Sequence, residues 1–92
     1  MDRKTLEYME VRSKKARVIV TKIENLLACS ERVEKVAEAY FADHNSKNLF
    51  SLSTHRHDPN RDNSRLFEAL KPMLQQVIAD EVQKLEQDLA EL

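Results

Sequence analysis

Residues 4–43, KTLEYMEVRSKKARVIVTKIENLLACSERVEKVAEAYFAD, decide how this chain is read. They contain neither Gly nor Pro, and apolar residues recur along them every three or four positions. From Ala16 the series Ala16, Ile19, Ile23, Leu26, Ser30, Val33, Ala37, Tyr40 alternates steps of 3 and 4. That is the a/d spacing of a helix that lies along another helix. The spacing predicts one amphipathic helix over about 4–43. At ~1.5 Å rise per residue it would reach ~60 Å, about twice the width of a small domain. Such a helix needs a partner along its length.

The middle of this stretch is more apolar than one partner requires. Val18, Val20, Leu27, Ala28 and Cys29 lie outside the seam. One neighbouring helix covers one stripe. The surplus over 16–29 points to burial on two sides, as in a bundle built from two subunits. Ile19, Ile23, Leu26, Leu27, Val33 and Tyr40 are therefore the candidate self-association residues. Cys29, in this apolar middle, is expected to be buried and inert.

Residues 44–63 form a polar connector rich in Asn, Ser, His and Asp, interrupted by Leu49, Phe50 and Leu52. These three are expected to make a short helical or extended turn against the bundle end. A second helix follows over about 64–92. Asp58-Pro59, Asp62, Asn63 and Ser64 offer caps for its start. Its stripe runs Phe67, Leu70, Leu74, Ile78, Val82, Leu85, Leu89, Leu92, and Pro72 should kink it. The fold class expected is thus all-α: a long antiparallel helical hairpin, coiled-coil-like, with an irregular connector, assembling into a dimeric bundle. The 92 residues make a single domain.

Composition narrows the function classes. With no Gly and only 5 % aromatic residues, the chain disfavours tight turns, phosphate-cradling loops, a β-rich core and base-stacking platforms. No hydrolase elbow, cofactor fingerprint or metal-ligand spacing occurs, so the reading is of a protein that is not an enzyme and has no cofactor. His44, His55 and His57 lie in the connector, and their spacing is a weak metal signal. One cysteine, no signal-peptide pattern and no long apolar run lead to the expectation of a cytoplasmic protein with no membrane contact.

Charge is unevenly distributed. Residues 1–22 hold seven basic and three acidic side chains, while 66–92 hold two basic and six acidic ones. Antiparallel packing would set the run Arg12, Lys14, Lys15, Arg17 and Lys22 beside Glu86, Asp88 and Glu91. Two functions fit. The first is a small protein-interaction module, a regulator, adaptor or assembly subunit, acting through helical faces and self-association with a protein partner. The alternative is a nucleic-acid-binding regulator whose phosphate contacts come from Arg12–Lys22.

Overall fold

The computed structural model describes residues 3–92. The order of elements is α1 (Arg3–Arg32), a one-turn 3-10 helix (Val33–Lys35), β1 (Glu38–Ala42), β2 (Asn48–Ser53) and α2 (Ser64–Ala90). The expectation of an all-α helical hairpin is overturned, because the two helices are joined by a strand hairpin. The first helix stops at Arg32 instead of running to about 43. The connector contains β2 where an irregular loop was expected, and of the two forms expected at Leu49, Phe50 and Leu52 the extended one is taken.

The helices lie antiparallel. Lys71 Nζ donates to the Glu34 carbonyl oxygen at 2.9 Å, and Gln75 Nε2 reaches the Ser30 carbonyl oxygen at 3.5 Å. Farther along, Leu89 and Leu92 sit across a shallow surface depression from Met9, Arg12 and Ala16. Along α1, exposure drops at Ala16, Ile19, Ile23, Leu26 and Ser30, and Val33 is buried just beyond it. Val33, Ile78 and Val82 form the central cluster, with Ile23 and Leu26 packed on it. On α2 the positions facing inward are Lys71, Gln75, Ile78, Val82, Leu85, Leu89 and Leu92. Their steps are 4, 3, 4, 3, 4, 3. Leu74, expected on this stripe, turns outward at 41 % exposure, and Gln75 takes the seam position in its place.

Why α1 ends where it does is visible in the backbone. Val36 turns to an extended conformation, and its N–H closes onto the Val33 carbonyl. The Lys71 ammonium then caps the Glu34 carbonyl, a favourable place for a cation because carbonyls at a helix C-terminus lack partners. Beyond Val36 the chain finds new ladder partners. Glu38 pairs with Ser53, Ala39 with Leu52, Tyr40 with Ser51 and Phe41 with Phe50. The Phe41 and Phe50 rings stack with centroids 4.7 Å apart. A stacked cross-strand pair adds about 0.5–1 kcal/mol to a ladder.

The hairpin turns without glycine. Asp43 Oδ1 accepts the N–H groups of Asn45 and Lys47 at 2.9 and 3.0 Å, and Ser46 takes φ 64°. A serine in this left-handed region costs about 1 kcal/mol that a glycine would not. The inference from glycine content against tight turns fails here because Asp43 holds the loop by side-chain bonds.

α2 starts at Ser64 with Asn63 as its flanking residue, and the Asn63 side chain does not cap it. It is used elsewhere. Asn63 N–H donates to the Ser53 carbonyl at 2.8 Å, while its Oδ1 accepts Ser53 N–H at 3.2 Å. That two-bond clamp fixes the end of β2 to the start of α2. Asp58-Pro59 builds a turn upstream, where Arg61 N–H meets the Asp58 carbonyl. The helix continues through Pro72 as one element.

The molecule is elongated, 68 × 29 × 15 Å, with a radius of gyration of 19.4 Å. A compact chain of this length has a radius of about 12 Å. Among the described residues five hydrophobic ones are buried: Val33, Phe67, Ile78, Val82 and Leu85.

Candidate functional site

The hairpin divides its surroundings into an apolar side and a polar side, because successive strand residues alternate between faces. Ala39 and Leu52 pair on one face, as do Phe41 and Phe50. Together with Val33, Phe67, Leu70 and Leu74, residues Ala39 and Phe41 border a cavity of about 430 Å³. Phe67, on the first turn of α2, is its buried anchor at 2 % exposure. Lys71 stands at its edge with its ammonium committed to the Glu34 carbonyl. The cavity exists because α2 extends past the end of α1 and the two strands cover that overhang only in part.

On the other face Glu38, Tyr40, Ser51, Ser53, His55 and Arg61 border a smaller polar depression of about 180 Å³. The Tyr40 hydroxyl donates to Glu38 Oε2, and His55 Nε2 lies 4.0 Å from Glu38 Oε1. The bond to the Glu38 carboxylate, together with its negative charge, holds the Tyr40 phenol pKa above its ordinary value. Every member of the group is at least partly solvated, so the cluster resembles a wet surface network rather than an enclosed site.

A second apolar feature belongs to α2 alone. Leu66, Leu70, Met73 and Val77 recur at steps of 4, 3 and 4. They form a stripe distinct from the seam, since Leu66, Met73 and Val77 are 47, 64 and 64 % exposed. Leu74 continues it toward the cavity. The spacing was present in the sequence, but the seam assignment of Leu70 and Leu74 hid it.

The self-association candidates are dispersed. Ile19, Ile23 and Leu26 are half-buried along the seam with α2, and Val33 is buried there. Leu27 is 49 % exposed, and Tyr40 lies on β1 at 66 % exposure. Val18 and Val20 are also exposed, at 55 and 39 %. Cys29 is exposed rather than buried as expected, since the seam passes on another side of α1.

Arg12, Lys14, Lys15, Arg17 and Lys22 are all exposed. Arg17 bonds Ser13, and Arg12 borders the depression near Leu92. The ion pairs among the described residues are Arg3–Glu7 and Glu38–His55, so the expected matching of the basic run to Glu86, Asp88 and Glu91 is not made. On α1 these five residues do not share one face, because at 100° per residue they spread around the helix. At the start of α1 the helix runs past the end of its partner, Met9 and Arg12 being the first residues to border a depression shared with Leu89 and Leu92. Residues 3–15 are exposed throughout.

Among the described residues no group of three or more His, Cys, Asp or Glu could hold a metal ion. His44 is in the hairpin loop, while His55 and His57 follow β2. No helix among them is long and apolar enough to cross a membrane. No family model, curated protein or solved structure matches the chain.

Proposed function

We propose that this protein is a small non-enzymatic interaction module, a regulator, adaptor or assembly subunit, acting in the cytoplasm through its helical faces and self-association. One observation carries the reading. The chain exposes 7948 Å², whereas a compact monomer of its mass exposes about 5,500 Å². Stable protein interfaces remove about 800 Å² from each partner. The surplus is large enough for such an interface, and fifteen large hydrophobic side chains among the described residues are exposed. Sedimentation equilibrium across a concentration series tests the reading. A mass above one chain is expected. A monomer at every concentration that also captures no protein partner contradicts it.

The nucleic-acid reading keeps one supporting observation, that Arg12, Lys14, Lys15, Arg17 and Lys22 are exposed and form no ion pair among the described residues. Phosphate contacts by these residues predict binding that weakens steeply with salt. An anisotropy titration at low and raised salt decides it. Binding that Lys14→Glu with Lys15→Glu abolishes supports it, and no binding at low salt removes it.

A further inference from the structure

Resting on the self-association reading, we infer that the occupant of the α2 stripe Leu66–Leu70–Met73–Val77 is the same stripe of a second copy, docked antiparallel. The spacing is the first argument. Steps of 4, 3 and 4 form a seam of about 16 Å that a helix of the same repeat can fill. Under a two-fold axis between Leu70 and Met73, Leu66 meets Val77 of the partner subunit and Leu70 meets the partner's Met73. Each side chain then finds an apolar partner of similar size, as a symmetric interface requires. Among the described residues none covers the stripe beyond Leu70: Leu66, Met73 and Val77 remain about half or more exposed.

Charge selects the antiparallel direction. The N-terminal end of the stripe carries Arg65 on the first turn of α2, while the Asp62 carboxylate just before the helix is occupied by the Ser64 N–H and hydroxyl. The C-terminal end is followed by Asp80 and Glu81. Antiparallel docking brings Asp80 and Glu81 of each copy toward Arg65 of the other. Parallel docking would set acid against acid and Arg65 against Arg65. Asp62, Asn63, Arg65, Leu66 and Ala69 border a surface depression that leaves room for the partner's side chains at this end.

Area is consistent with this occupant. The surface beyond that of a compact monomer, about 2,400 Å², exceeds the ~800 Å² per chain that a standard interface removes. The stripe lies next to the cavity through Leu70 and Leu74, so the second copy also shields the apolar edge left open by the hairpin.

The experiment uses the full chain carrying Cys29→Ser, because Cys29 is exposed and would form its own crosslinks. Met73→Glu with Val77→Glu is expected to weaken dimerisation by about tenfold or more. Helical circular dichroism should be unchanged, since both positions are solvated in the single chain. Arg65→Glu and Asp80→Arg should each weaken the dimer, and together they should restore it. Mixing the Leu66→Cys and Val77→Cys chains under oxidation should give the mixed disulfide in preference to either symmetric one. A dimer that survives Met73→Glu with Val77→Glu but dissociates with Leu27→Glu overturns the inference and leaves the self-association reading standing. Symmetric disulfides in place of the mixed one overturn the antiparallel docking. A chain monomeric at all concentrations overturns the inference and the self-association reading together.

Discussion

The stem and the head of this molecule use the same kinds of residue and reach different outcomes. The stem joins residues 16–33, on and just beyond α1, with residues 78–92, on and just beyond α2. Its seam residues form one stripe per helix and pack on each other, while Val18, Val20 and Leu27 lie off the seam and are exposed. The head joins the hairpin to α2 from Ser64 to Val77. There α2 carries two stripes, one partly roofed by the strands and one bare. Helix–helix packing closes a stripe along its whole length because side chains three and four apart interdigitate. A two-stranded sheet covers only what its own short face reaches, and alone it is marginal in water. Apolar surface left over on the head is therefore the geometric result of covering a helix with a hairpin.

Four experiments break or sharpen that contrast. The largest effect is expected where stem and head meet. Phe67→Ala should cost about 3–5 kcal/mol, because the ring is 2 % exposed and holds the hairpin to α2. Urea unfolding would measure it, and a loss under about 1 kcal/mol would show that the head does not depend on this anchor. Next comes a pair of neighbours. Ile78→Ala should destabilise the chain by about 2–4 kcal/mol. Val77→Ala, one residue earlier on the bare stripe, should change the stability of the single chain by under about 0.5 kcal/mol. Equal effects in dilute solution would erase the distinction between covered and uncovered stripes.

A smaller effect lies at the hairpin tip. Ser46→Gly should stabilise by about 1 kcal/mol by relieving the left-handed conformation, which would appear as a melting point raised by several degrees. A lowered melting point would mean that the Ser46 side chain contributes something the φ value does not reveal. The smallest effect concerns Asp62. The hydrogen bond from the Ser64 hydroxyl holds its carboxyl pKa below the usual value, against a smaller opposing effect of desolvation. The folded chain therefore keeps Asp62 charged at a pH where the unfolded chain protonates it. Its contribution is fully present above the unfolded pKa of about 3.9 and is lost as pH falls through the lower folded value. Asp62→Asn should flatten the part of the acid-unfolding curve below that pH. An unaltered curve would show that the bond adds no pH dependence.

The seam was legible because it is local. Ala16, Ile19, Ile23, Leu26, Ser30 and Val33 share a face by spacing alone, and any helix of this sequence would place them together. The strand hairpin was not. Ala37 and Tyr40 happen to extend the 3-and-4 rhythm, so a helix to Asp43 satisfied the same pattern. The competing evidence was two short runs, VAEAYFA and NLFSLS, flanking the polar loop Asp43–Lys47. In the structure those runs pair as the two strands of an antiparallel ladder. A glycine-free loop weakened that signal, since the usual hairpin turns carry Gly. For the site, the bare stripe was readable at its spacing of 4, 3 and 4. The cavity beside it was not, because half its wall is the hairpin.

The sequence by itself determined that two long amphipathic helices exist and, over 16–33 and 78–92, which residues turn toward the other helix. The tertiary structure alone decided where α1 stops, that Gln75 rather than Leu74 enters the seam, and that Cys29 faces water. The physical reason is range. Helical periodicity is set by neighbours three and four residues apart. The ladder between Glu38–Ala42 and Asn48–Ser53 and the bond from Lys71 to the Glu34 carbonyl arise only once distant segments have met.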